Sequence, residues 1–148
     1  MSDNSHITAS GASSNTHVGG ALLAVLSVAG LVGAAGVGLA AIAAHKLESP
    51  TLATASTMLM IHATAVVALL AVAMRVSRPR LWIAVAAVML AAVALFSGAV
   101  TYQAFIGTPI IKGAAPTGGT LLIASWIAVA LLAIREALGS RNGRGARP

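Results

Sequence analysis

The sequence predicts an all-α membrane protein: a four-transmembrane-helix antiparallel bundle with both termini cytoplasmic. Three observations carry this. Of 148 residues, 58% are apolar and 8% charged, against roughly a quarter charged in soluble domains. The apolar residues fall into four runs long enough to cross about 30 Å of hydrocarbon, separated by short polar turns. The basic residues are unevenly shared between the two sides that such a topology creates.

Residues 1–17 are rich in Ser, Thr, Asn and Gly without Lys or Arg. They read as a disordered N-terminal tail and lack the basic n-region of a signal peptide. The first span covers about 18–44. Its second half, Gly30 to His45, is too rich in glycine for an ordinary soluble helix. Ala29, Gly33, Gly36, Ala40 and Ala43 alternate steps of four and three, so they share one side of a helix where a neighbouring backbone can approach closely. His45, Lys46 and Glu48 mark the polar end of this span.

Ser49-Pro50 has the form of a helix start, with Ser49 as N-cap and Pro50 at the first helical position. The second span is set at about 52–74. Thr51, Thr54, Ser56 and Thr57 make its first two turns polar, which leaves open whether they cross the membrane or lie at its surface. Arg75, Arg78, Pro79 and Arg80 form a basic turn. The third span, about 81–102, carries Trp82 and Tyr102 where interfacial aromatics belong. A Gly, Pro and Thr loop runs from Gln103 to Thr117. The fourth span covers about 118–138, and residues 139–148 form a basic C-terminal tail.

Four spans place Arg75, Arg78, Arg80, Arg135, Arg141, Arg144 and Arg147 on one side and Lys46 and Lys112 on the other. That bias predicts cytoplasmic termini. It also accounts for the formal charge of +6 without invoking nucleic acid. The absence of cysteine excludes disulfides, iron–sulfur clusters and cysteine catalysis. Asp3, Glu48 and Glu136 are all terminal or interfacial, so the buried first-span carboxylate of a small proton-coupled exporter is missing. A di-haem cytochrome would need two intramembrane histidine pairs, and only His62 lies well inside a span.

His62 has two readings: a proton, metal or cofactor site, or a neutral imidazole hydrogen-bonded across the bundle. His45 lies at the outer end of the first span, too far from His62 along two helices to share a metal with it. Ser97 and Thr101, four residues apart beside Tyr102, fit helix–helix hydrogen bonding, and no His–Asp partnership makes Ser97 a nucleophile. Pro116-Thr117-Gly118-Gly119 has two readings: a capped, closely packed helix start, or exposed amides that bind an anion or lipid headgroup. Trp126, inside the fourth span, needs a partner for its indole N–H.

Four elements together resemble a known family. Gly33 to Ala40 with Ala44-His45 resembles the glycine-rich first span of the domain of unknown function 423 family. His62-Ala63 resembles its Tyr-x-x-x-His-Ala element, with Met58 in the tyrosine's place. Phe96-Ser97-Gly98 with Tyr102 resembles its Phe-Ser-Gly-x-x-x-Tyr element, and Pro116-Thr117-Gly118-Gly119 through Trp126 its Pro-x-Gly-Gly…Trp element. The resemblance covers about Gly20 to Leu138. It implies a small four-span membrane protein of bacterial or mitochondrial type whose biochemical role is not established.

The leading expectation is a non-enzymatic integral protein of a bacterial inner membrane, or of the mitochondrial inner membrane in a eukaryote. It would pack through small-residue faces against itself or a larger membrane complex, as a structural or accessory subunit. No cofactor, metal or nucleic acid is expected; the lipid bilayer is. The alternative is a binding or transport module in which His45, His62, Ser97, Tyr102 and Trp126 line an outward-facing pocket for a lipid, quinone or other hydrophobic ligand.

Overall fold

Apolar runs in lipid have one economical backbone solution, because every N–H and C=O must be satisfied within the segment. The computed structural model shows that solution four times. It describes residues 5–47, 49–109 and 111–144. The helices are α1 (Ser5–Ile42), α2 (Pro50–Ala73), α3 (Pro79–Ile106) and α4 (Ala114–Arg144). Each contains a stretch long and apolar enough to cross a membrane: Val18–His45, Pro50–Ala73, Pro79–Ile106 and Ala114–Gly139.

The boundaries follow local chemistry. A π-turn, Ala43–Leu47, closes α1. Ser49 caps α2, its hydroxyl accepting the Leu52 N–H at 3.4 Å, with Pro50 just inside the helix. This places the start of α2 at Pro50 and makes Thr51 to Thr57 part of the helix. Thr54 and Thr57 return their hydroxyls to the carbonyls four residues earlier, at 3.0 and 2.9 Å. That satisfies a polar side chain on an apolar helix without a partner. Gly107 ends α3 with φ of 81°, and Gly113 turns with φ of 89° before α4. Left-handed backbone at these two points is where glycine is needed.

Three sequence expectations shift. α1 continues upstream to Ser5, so residues 5–17 are helical where a disordered tail was expected. Propagation from a formed helix costs little compared with nucleation. By the same reasoning α4 runs on to Arg144. The loop expected from Gln103 to Thr117 shrinks to the segment between Ile106 and Ala114. Residues 1–4, Glu48, Ile110 and 145–148 lie outside the described residues.

Consecutive helices pack on one another, and α1 also touches α3. Among the described residues α4 meets only α3 at backbone distance, so the bundle is not closed into a ring. Burial records the same arrangement: 44% of the most apolar stretch of α2 and 39% of that of α3 are buried, against 17% for α1 and for α4. The core lies along α2 and α3, around Leu52, Val66, Met89 and Val93. Trp82 belongs to it. Placed in the first turn of α3, it is 4% exposed, because it shares the helical face of Ile83, Ala86 and Met89 that turns inward. Its indole N–H has no hydrogen-bond partner among the described residues.

Two glycines set the interhelical distances. A methyl on Gly36 of α1 would stand 2.8 Å from Met60 Cγ and 3.2 Å from Met60 N of α2. One on Gly118 of α4 would stand 2.6 Å from Phe96 N and 2.9 Å from Ala92 O of α3. Close backbone approach of this kind replaces the hydrophobic driving force that is missing between helices in lipid.

Candidate functional site

The buried face of α2 runs through Leu52, Ala55, Ser56, Leu59, His62, Ala63 and Val66. Its spacing by threes and fours carries one imidazole inward. His62 is 6% exposed. Its Nδ1 lies 2.8 Å from the Met58 carbonyl one turn earlier, and its Nε2 lies 3.3 Å from Trp126 Nε1 on α4. A carbonyl and an indole N–H fix the ring's roles: Nδ1–H donates to Met58, and the Nε2 lone pair accepts from Trp126. The rings meet edge to face, with centroids 6.2 Å apart and an interplanar angle of 61°. The neutral imidazole therefore has both nitrogens engaged. The lone pair that a metal or haem iron would use is taken by the indole. Trp126 is 46% exposed on its other side.

A second polar node lies nearer the start of α2. Ser56 Oγ donates to the Gly36 carbonyl of α1 at 2.9 Å, and Ser97 Oγ of α3 donates to the Ala55 carbonyl of α2 at 3.1 Å. Both serines are buried. Adjacent residues of α2 thus tie it to both neighbours, where Gly36 brings the backbones together.

Ser97 has a further neighbourhood. α1 and α3 touch only lightly, and the seam between them opens into a groove of about 560 Å³. Val32, Ala35 and Leu39 of α1 form one wall, Ala94 and Gly98 of α3 the other, with Ser97, Thr101 and Tyr102 supplying hydroxyls. The five residues expected to share one pocket therefore divide. His62 and Trp126 pair across α2 and α4. Ser97 and Tyr102 line the α1–α3 groove. His45 is exposed in the π-turn and lies with neither group.

The small-residue stripe of α1 faces α2: Ala29, Gly36 and Ala43 are buried, Gly33 lies 3.6 Å from Ala63 Cβ when given a methyl, and Ala40 is half-buried. α1 also carries a second stripe. Gly30, Ala34, Gly38 and Ala41 are all exposed, and no atom lies within 4 Å of where a Cβ on Gly30 or Gly38 would sit.

A family model described as a protein of unknown function (DUF423) matches residues 39–119. The chain belongs to the DUF423 family. The match runs from the last turns of α1 through α2 and α3 to the start of α4, and so takes in His62, Ser56, Ser97, Tyr102 and Gly118. It is narrower than the resemblance of the motifs, which reached Gly20 and Leu138. No solved structure matches the chain.

In this DUF423 protein two features escaped the sequence reading. Ser56 was grouped with the surface threonines, although its register with Leu52, Leu59 and Ala63 already put it on the inward face. The outer stripe of α1 was overlooked because the first stripe, one residue out of phase, absorbed the glycines. Gly30-x-x-x-Ala34-x-x-x-Gly38 is a regular small-residue pattern in its own right.

Proposed function

We propose that this DUF423 protein is a non-enzymatic accessory subunit that docks through the outer face of α1 against a second copy or a larger membrane complex. The outer stripe of α1 carries the reading. Gly30 and Gly38 cost helix stability relative to alanine, about 1 kcal/mol each in water, and no contact within the chain makes use of their missing side chains. A flat Gly-Ala-Gly surface is what a second transmembrane backbone packs against. The arginine-rich side of the membrane is the cytoplasmic one, by the positive-inside rule, and the membrane is a bacterial or mitochondrial inner membrane.

A second reading is favoured by the α1–α3 groove: a hydrophobic ligand with a hydrogen-bonding head held at Thr101 and Tyr102. It moves the ligand site of the sequence reading away from His62, whose nitrogens are both occupied.

Mild-detergent purification from native membranes followed by native mass spectrometry tests both. The docking reading expects a homo-oligomer or a stoichiometric partner that is lost in Gly30→Leu/Gly38→Leu while the four-helix circular dichroism persists. The ligand reading expects an added small mass that Tyr102→Phe weakens and the double leucine variant retains. A bare monomer in wild type, without cross-linked partners in native membranes, overturns the docking reading.

A further inference from the structure

The α1–α3 seam opens a second time, below the first groove and close to the basic turn. This opening, about 370 Å³, is walled by Val18, Ala21 and Val25 of α1 and by Ile83, Ala84 and Ala87 of α3, and Arg80 closes its end. One strong cation at the foot of an otherwise hydrocarbon wall describes an amphipathic ligand. We propose that this groove seats an anionic phospholipid from the leaflet on the arginine side, its phosphate against Arg80 and one acyl chain laid between α1 and α3.

Three observations select this occupant. First, the charge is available. Among the described residues none of Arg75, Arg78 and Arg80 pairs with a carboxylate, and the one acid at the turn, Glu136 of α4, accepts the Ser77 hydroxyl at 3.0 Å. Second, Arg80 stands in the first turn of α3, directly after Pro79, where the positive end of the helix dipole adds to its field. Third, the depth agrees. Arg80 is the second residue of α3 and the one charged residue in it, at the arginine-side end of the span where headgroups begin, and Val25 and Ala87 lie about two turns further into the hydrocarbon. A partner helix would need a continuous apolar face at both ends and would leave Arg80 against hydrocarbon. A free anion would leave the apolar walls unused. The outer stripe of α1 points elsewhere, so this site and the docking face do not compete.

The test is native mass spectrometry of the full chain, delipidated and then titrated with phosphatidylglycerol, phosphatidylcholine or glycerol 3-phosphate. One phosphatidylglycerol per chain should bind in preference to phosphatidylcholine. Arg80→Gln should weaken it about fivefold, the share of one basic charge at a lipid surface. Ala87→Trp, which keeps the charge and fills the groove, should weaken it too. Arg135→Gln, outside the groove, should leave it unchanged, and circular dichroism confirms that each variant is folded. Equal losses in Arg80→Gln and Arg135→Gln would reduce the effect to a diffuse field and overturn the proposal. So would glycerol 3-phosphate competing as well as the lipid, or Ala87→Trp binding like wild type. Docking can fail while this site stands, since the variants that test it lie on other residues.

Discussion

A single methyl distinguishes two neighbouring residues of α4. A Cβ on Gly118 would collide with the backbone of α3, at 2.6 Å from Phe96 N, whereas one on Gly119 would meet the Phe96 ring at 3.8 Å, an ordinary contact. Backbone cannot rotate out of the way as a side chain can. Gly118→Ala should therefore destabilise the protein by about 1–3 kcal/mol, as overpacking does. Gly119→Ala should be neutral or slightly stabilising through helix propensity. Unfolding in mixed micelles by SDS titration measures both, and equal effects would mean that α4 does not sit this close to α3. The Gly-Gly pair was legible as a tight helix start. Which glycine is indispensable was not, because that depends on the rotation of α4 about its own axis. The partner of Trp126 was hidden for the same reason: a need for an acceptor can be read from sequence, but His62 lies 64 residues away on a helix whose register must be known first.

At the scale of the element, α2 is the organiser. It holds α1 through Ser56 and Gly36, holds α3 through Ala55 and Ser97, and reaches α4 through His62. Interhelical hydrogen bonds in membranes contribute about 0.6 kcal/mol on average and up to about 1.7. Ser56→Ala should cost about 0.5–1.5 kcal/mol in the same unfolding assay. Thr57→Ala, whose hydroxyl only returns to Ala53 on the outer face, should be nearly neutral. If the two variants behaved alike, the serine node would not hold the helices together. The four spans were readable to within a few residues from hydropathy, from Ser49-Pro50 and from the glycines that end α3 and precede α4. The polar start of α2 was less so, because composition averages over a turn while burial depends on phase. Ser56 and Thr57 are adjacent and chemically close, and only one of them bonds a neighbouring helix.

At the scale of the whole molecule, the structure is a two-helix core with two thinly buried flanks. α2 and α3 would suffice for little in water, but in lipid the exposed faces of α1 and α4 are already in a suitable solvent. Lipid explains the leucines, isoleucines and valines there: Leu23, Leu31, Ile123, Ile127 and Leu131 need nothing more. It does not explain Gly30, Ala34 and Gly38, which offer the bilayer little side-chain surface and one another none. This asymmetry sets the outer face of α4, built of large apolar side chains, apart from that of α1, which carries a stripe of small ones. The natural absence of cysteine makes the distinction directly measurable. Single cysteines at Ala34 on the outer stripe and at Leu131 on the lipid face of α4 would be oxidised or treated with a short thiol-reactive cross-linker in native membranes. Docking through α1 predicts a discrete adduct, either a dimer of the chain or one defined partner, from Ala34→Cys and none from Leu131→Cys. No adduct at Ala34, or the same faint smear from both positions, would contradict it.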